Sequence, residues 1–551
     1  MILSCCCTRL SRLLALLLAA GLAVALSGCD QSSGHSRGPS RQASSSGGLF
    51  TSVAESLDRM EQFETGQMLK QICDRLNQWY QQEKPPIDWQ PDPLIARLPD
   101  DLQNVLAMKL LDSTQYRIPD DAWFLQEAVW LRDISRRARG DQFEDLQVAE
   151  RLFDWVVRNV DLEPDTELTP ETIRHRPFET LLYGRGRAAD RAWVFTLLAR
   201  QQGLDVVLLA IDAKEGQKPT SWAPALLSGG ELYLFDCRLG LPIPGPGGKG
   251  IATLSAIVAD PQLLRHLDLD DQHRYTIDAE QLSHVVALVV GSPTDLSRRM
   301  ALVESRLSGK HKMSLTSPGS ALAERVKKAP HITDARLWTM PFELAKWQST
   351  LDENMVRAAN REMYPFQALP MRVTGRSGET VRTTRGKPVF QPNAMLLKAR
   401  TLDFKGEFDG DEGAKIHYLR ARPTDAEIND FQLPQSVTTQ LRKEDVPRIE
   451  ASQVLVIRRA KQAASFWLGL VHFEQQNYHE AIDFFANRVL KGNPEGMWAA
   501  AARYNLGRSY EAAGQIDKAI ATYESDTSSP QNTGNRLRAR WLKEQQATAL
   551  R

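Results

Sequence analysis

The sequence predicts a multidomain α+β protein: a helix-plus-antiparallel-sheet core, a mixed region after it, and an all-α C-terminal segment of helical hairpins. Three observations predict this. Between residues 145 and 241, two apolar helical stretches are followed by three short strand-like runs. From residue 251 to about 440, strand-like and helical patterns mix without a recognisable motif. Beyond 441 only helical periodicity remains, and part of it repeats. At 551 residues the chain has room for several domains. Lys+Arg and Asp+Glu both number 68, so the charge balance gives no reason to expect nucleic acid as a partner.

The N-terminal end reads as an export signal. Arg9 and Arg12 precede Leu13 to Leu26, a run of Leu, Ala and Val broken only by Gly21. A bilayer core of ~30 Å needs about twenty apolar residues, so this run is too short to span it. It ends in Leu26-Ser27-Gly28-Cys29, which resembles the lipobox of bacterial lipoproteins. The resemblance implies that residues 1–28 are a signal peptide and that Cys29 is lipidated. The protein is then anchored by lipid on the extracytoplasmic side of a cell-envelope membrane. Residues 29–52, rich in Ser and Gly, read as the tether. After cleavage the cysteines are Cys29, Cys73 and Cys237, so at most one disulfide can form.

Residues 53–144 form a helical N-terminal region. Val53, Leu57, Met60, Phe63, Leu69, Ile72, Leu76 and Trp79 recur at helical spacing, which puts Cys73 in a packed face. Prolines 85, 86, 91 and 93 break the pattern, and it resumes at 101–111 and 122–138.

Residues 145–250 carry the informative motifs. A helix, Ala149 to Val160, contains Trp155, Val156 and Asn159. Gly184-Arg185-Gly186-Arg187-Ala188-Ala189-Asp190 leads into a second helix through Arg200, which Gly203 stops by taking the left-handed conformation cheaply. Strand-like runs follow at 206–211, 222–227 and 231–235, the last closed by Asp236. This order and spacing resemble the transglutaminase-like superfamily with its papain-like core. In that family a Cys at the start of the core helix, a His on a facing strand and an Asp at the end of the next form the catalytic triad. A helix N-terminus favours the thiolate, the His moves the proton, and the Asp orients the imidazole. Here the resemblance assigns the nucleophile position to Ala188, the base position to Trp222 (with Ser221 as a one-residue shift) and the third to Asp236. A methyl group cannot attack a carbonyl, and neither Trp nor Ser in the base position accepts the proton.

A substitute pair of Cys237 and His175 is the remaining thiol route. Strand alternation, however, points Cys237 to the face opposite Asp236. Arg185, Arg187 and Asp190, with Asp236, are the candidate cleft-binding residues. A basic rim at a helix N-terminus suits a carboxylate or phosphate, and a solvated, salt-paired surface explains the same residues.

The region 251–440 shows no metal-ligand spacing, phosphate loop or nucleophile elbow, and no cofactor or metal is expected. From 441 to 551 an internal repeat has a period of 38 residues, read from Gly469 to Gly507, Ala481 to Ala519, and Phe485 to Tyr523. Tyr510 belongs to the same signature. The units resemble tetratricopeptide repeats, whose usual period is about 34 residues. Two units are fewer than such arrays need alone, so they are expected to lean on the middle region.

Two functions compete. The residues favour a non-catalytic, membrane-anchored scaffold that binds a protein or peptide partner in the cell envelope, a pseudoenzyme in its core. The alternative is a thiol-dependent peptidase or transamidase with a non-standard nucleophile.

Overall fold

A computed structural model of the chain describes residues 45–60, 65–165, 169, 172–211, 220–373, 379–382 and 386–549. The signal segment, Cys29 and most of the tether lie outside the described residues. Among the described residues no helix is long and apolar enough to cross a membrane.

The chain divides into two compact units. The larger comprises Ser46–Thr350, Asp403–Glu407 and the described residues from Gly469; the smaller comprises Leu351–Leu402 and Phe408–Leu468. The divisions expected at 250 and 440 do not coincide with these units. Residues 251–350 complete the larger one because they add strands to its sheet.

In the larger unit the labelled helices are α1 (Thr65–Glu83), α2 (Trp123–Arg139), α3 (Asp145–Asn159), α4 (Pro177–Tyr183) and α5 (Ala188–Gln201). The strands are β1 (Val206–Ile211), β2 (Thr220–Ser228), β3 (Glu231–Asp236), β4 (Leu241–Pro242), β5 (Val285–Val289) and β6 (Ile332–Leu337). They form one six-stranded sheet in the order β4-β3-β2-β1-β5-β6. All neighbours are antiparallel except β5 and β6. Alternation sorts the side chains between two cores. Val207, Leu209, Leu232 and Leu234 join an aliphatic cluster with Leu254, Ile257, Leu322 and Phe342. Phe235 points the other way and meets Phe153 of α3 and Phe195 of α5, each with ring centroids 5.1 Å away. Helix α5 is buried nearly all round, as a helix apolar on every side must be.

The C-terminal helices are α6 (Val446–Glu474), α7 (Tyr478–Asp483), α8 (Ala499–Ala512), α9 (Ile516–Glu524) and α10 (Asn532–Ala549). Only the end of α6, from Gly469, belongs to the larger unit. In the smaller unit, helix Glu353–Ala368 and the antiparallel pair Leu369–Arg372 and Phe390–Asn393 accompany the rest of α6. Its apolar core contains Phe390, Ile428, Phe431 and Ile457. Trp467 is boxed by Phe366 and Tyr418, with the Arg400 guanidinium 4.7 Å above its ring.

Candidate functional site

The candidate site begins where α5 starts. Ala188 is the first helical residue, and Asp190, three residues after the cap, accepts the Arg187 backbone N–H at 2.9 Å. That arrangement satisfies one of the donors a helix start leaves open. It also consumes charge: Arg187 Nε lies 3.2 Å from the same carboxylate, and Arg185 pairs with Glu163 at 2.8 Å. Arg185 and Arg187 of this loop are therefore held in ion pairs.

Trp222 stands near the start of β2 at an irregularity. Leu209 of β1 pairs with Ala223 and Ala210 pairs with Ser221, so Trp222 is the extra residue of a β-bulge. A bulge re-aims one side chain, which is why alternation along this strand cannot choose between Ser221 and Trp222. Asp236 ends β3, buried, with Oδ1 accepting the backbone N–H groups of Arg238 and Leu239, both at 2.8 Å.

Sequence reasoning missed the residue that joins these two. The Tyr275 hydroxyl donates to Asp236 Oδ2 at 2.5 Å and accepts the Trp222 indole N–H at 2.8 Å. Tyr275 is carried on an irregular segment pinned at both sides. Its own N–H donates to Asp268 Oδ1 at 2.7 Å, and Arg265 Nη2 donates to the Ile277 carbonyl at 2.8 Å. The Trp222–Tyr275–Asp236 chain spends both the indole donor and the phenol proton internally. Burial raises the carboxyl of Asp236 above the usual range, against the pull of the Tyr275 hydroxyl and the two amides. Burial, reinforced by Asp236, pushes the Tyr275 phenol well above its ordinary value.

Cys237 follows with its side chain buried. Burial first, and then the neighbouring Asp236 charge, push its thiol far above the ordinary range. Cys73 is likewise pushed up to about 12, mainly by burial. Both are free thiols. The His175 ring packs edge-on against Tyr183, with centroids 5.2 Å apart.

The repeat signature is used as its spacing suggests. A Cβ at Gly469 would sit 2.6 Å from the Phe485 ring, and one at Gly507 would strike the Tyr523 ring, so each absent side chain admits the aromatic of the following helix. Ala481 and Ala519 are fully buried, and Lys518 lies 5.6 Å over the Tyr510 ring. The turns between paired helices have φ +61° at Gln476 and +71° at Gly514, the same left-handed step made by different residues.

The repeats lean on residues after 250, where Leu537 joins Leu254, Ile257 and Phe342, and they also pack onto α3 and its surroundings. Asn505 Nδ2 donates to the Arg158 carbonyl at 3.0 Å, Arg158 pairs with Glu474 at 2.5 Å, and Arg508 pairs with Asp154. Burial opposes ionisation of Asp154, yet the guanidiniums of Arg508 and Arg158 outweigh it and hold the carboxyl below its usual range.

Comparison with known proteins identifies one family: residues 472–539 match the tetratricopeptide repeat. No curated protein matches the chain. No solved structure matches it either.

Proposed function

We propose that the chain is a membrane-anchored, non-catalytic scaffold of the cell envelope that binds a protein or peptide partner, and that its core is a disarmed transglutaminase-like domain. The observation that carries the reading is the tetratricopeptide-repeat match at 472–539, because such repeats generally mediate protein–protein interaction. Three features support the finer parts. The export signal ends in a lipobox-like Leu26-Ser27-Gly28-Cys29. Ala188 offers no nucleophile at the start of α5. The Trp222–Tyr275–Asp236 chain is closed on itself, and the nearby Cys237 thiol is buried and held protonated.

The test expresses the full precursor in a bacterial host with a clickable fatty acid. Wild type should take up label and sediment with membranes, and Cys29→Ala should do neither. A proximity-labelling enzyme fused to the C-terminus then identifies partners in intact cells. Hydrolysis or transamidation of peptide substrates by the purified protein, abolished in Cys237→Ala, would overturn the non-catalytic part.

A further inference from the structure

Three sets of contacts from the repeat region meet the sheet and its helices, and each holds a different part. Helix α8 takes α3: Asn505, fully buried, donates to the Arg158 carbonyl at 3.0 Å, while Arg508 engages Asp154. The residues just before and inside α10 take the turn after β3. Gln531 Nε2 donates to the Leu239 carbonyl at 2.6 Å, and Gln531 Oε1 accepts from Arg191 of α5 at 2.6 Å. Gly534 lies so close that any Cβ there would strike the same Leu239 carbonyl. That turn supplies the Leu239 amide that Asp236 accepts at 2.8 Å. Further along α10, Arg540 Nη1 donates to the Asp268 carbonyl at 2.7 Å, and its other nitrogen donates to the His266 carbonyl. Asp268 in turn binds the Tyr275 backbone N–H.

We propose that the repeat region clamps this chain's own sheet loops: the α8 and α10 faces are engaged within the chain, and Gln531 and Arg540 position Asp236 and Tyr275. α10 also fills core, with Leu537 in the sheet cluster, and its polar contacts add to that. They run from side chains to backbone carbonyls, pair opposite charges across buried surface, and close on the two loops that flank the Asp236–Tyr275 bond. An apolar core contact would stabilise the sheet without fixing either loop; these bonds fix both. Each of these bonds ties one loop, so losing one should loosen its loop well before the sheet. An outside peptide does not reach the surface of α8 that bears Asn505 while α3 occupies it. These contacts limit the scaffold reading, because an outside partner must use repeat surface other than these faces of α8 and α10.

The test is hydrogen–deuterium exchange on the full soluble chain from residue 30, comparing wild type, Arg540→Ala, Gln531→Ala and the double variant. Arg540 is partly exposed, so its replacement keeps the experiment informative if Gln531→Ala folds poorly. The expected result is faster exchange, by roughly fivefold or more, in peptides covering 236–241 for Gln531→Ala and 266–277 for Arg540→Ala, with β1 and β5 unchanged. Exchange unchanged in those peptides would overturn the proposal. So would a uniform rise across the larger unit, because that would make these contacts general stabilisers.

Discussion

Gln531 accepts a hydrogen bond of 2.6 Å from the Arg191 guanidinium across 340 residues of chain. Arg191 is buried in α5, and its other donors go to the carbonyls of Val160 at 2.8 Å, Cys237 at 3.2 Å and Val157 at 3.4 Å. A cation is thus held by neutral oxygens from α3, from the end of β3 and from the repeats. Arg191→Met should lower the unfolding free energy by about 3 kcal/mol or more, since it strips several buried acceptors of their donor. Arg191→Lys should recover little, because an ammonium cannot reach the same oxygens as a planar fork. Urea denaturation followed by far-UV circular dichroism measures both. A loss below ~1 kcal/mol for either would contradict this account.

Tyr275→Phe should cost about 1–3 kcal/mol, the cost of leaving Asp236 Oδ2 without its donor. The loss should be larger at pH 7 than at pH 4, since the phenol bond matters most to an ionised carboxylate. Chemical denaturation at the two pH values checks the sign.

Glu127 of α2 is buried and accepts the Phe178 backbone N–H at 2.8 Å. Burial is the main cause that lifts its carboxyl to about 8, with Glu179 adding to the rise and Arg176 opposing it. The unfolded value is near the ordinary ~4.3. Between these limits the native state keeps a proton that the unfolded state has lost, so this group's contribution to stability falls as pH rises through the window. Glu127→Gln removes the titration. The melting temperature of the variant minus that of wild type should therefore grow from pH 5 to pH 8; a constant difference would refute the assignment.

Gln476 adopts φ +61° in a turn where the second repeat uses Gly514. An L side chain in that region is strained by roughly 1–2 kcal/mol, and part of any relief is lost to the greater freedom of glycine in the unfolded chain. Gln476→Gly should stabilise by about 0.5–1 kcal/mol, and Gly514→Ala should destabilise by a similar amount or more. Parallel thermal melts of the two variants should move in opposite directions.

Cys73 and Cys237 should resist iodoacetamide at pH 8 in the folded protein and react only on denaturation, because both are buried and their thiols are pushed up. Mass spectrometry after a timed pulse distinguishes the sites. Rapid modification of folded Cys237 would revive the thiol-enzyme alternative.

What the sequence reveals follows the range of the interactions involved. Gly469 and Gly507 are legible because close helix packing forbids a side chain, and the requirement recurs in each unit. The helix from Ala188 and the strands to Asp236 are legible because local periodicity and turn residues define them. The partnership of β5 with β1 is not, since strand pairing across an intervening loop leaves no local trace. Tyr275 sits on an irregular segment, where no period predicts which way a side chain points. Trp222 is hidden differently: the bulge adds a residue that alternation cannot count. The role of Gln531 depends on a carbonyl 292 residues away, and nothing in its own neighbourhood announces it.

The interleaved order of the larger unit also sets a sequence of events in time. Its sheet is complete by residue 337, yet Leu537 belongs to the buried cluster on one face of that sheet. The chain that closes the unit returns only after the smaller unit has been traversed. Contacts between segments so far apart in sequence raise the contact order, and loop-closure entropy rises only slowly with their separation. Synthesis from the N-terminus makes the strands of this sheet before α10, so the part of the face under Leu537 waits on that helix. The cover that Leu537 gives to that face is therefore the part of the larger unit that is synthesised long after the strands it covers.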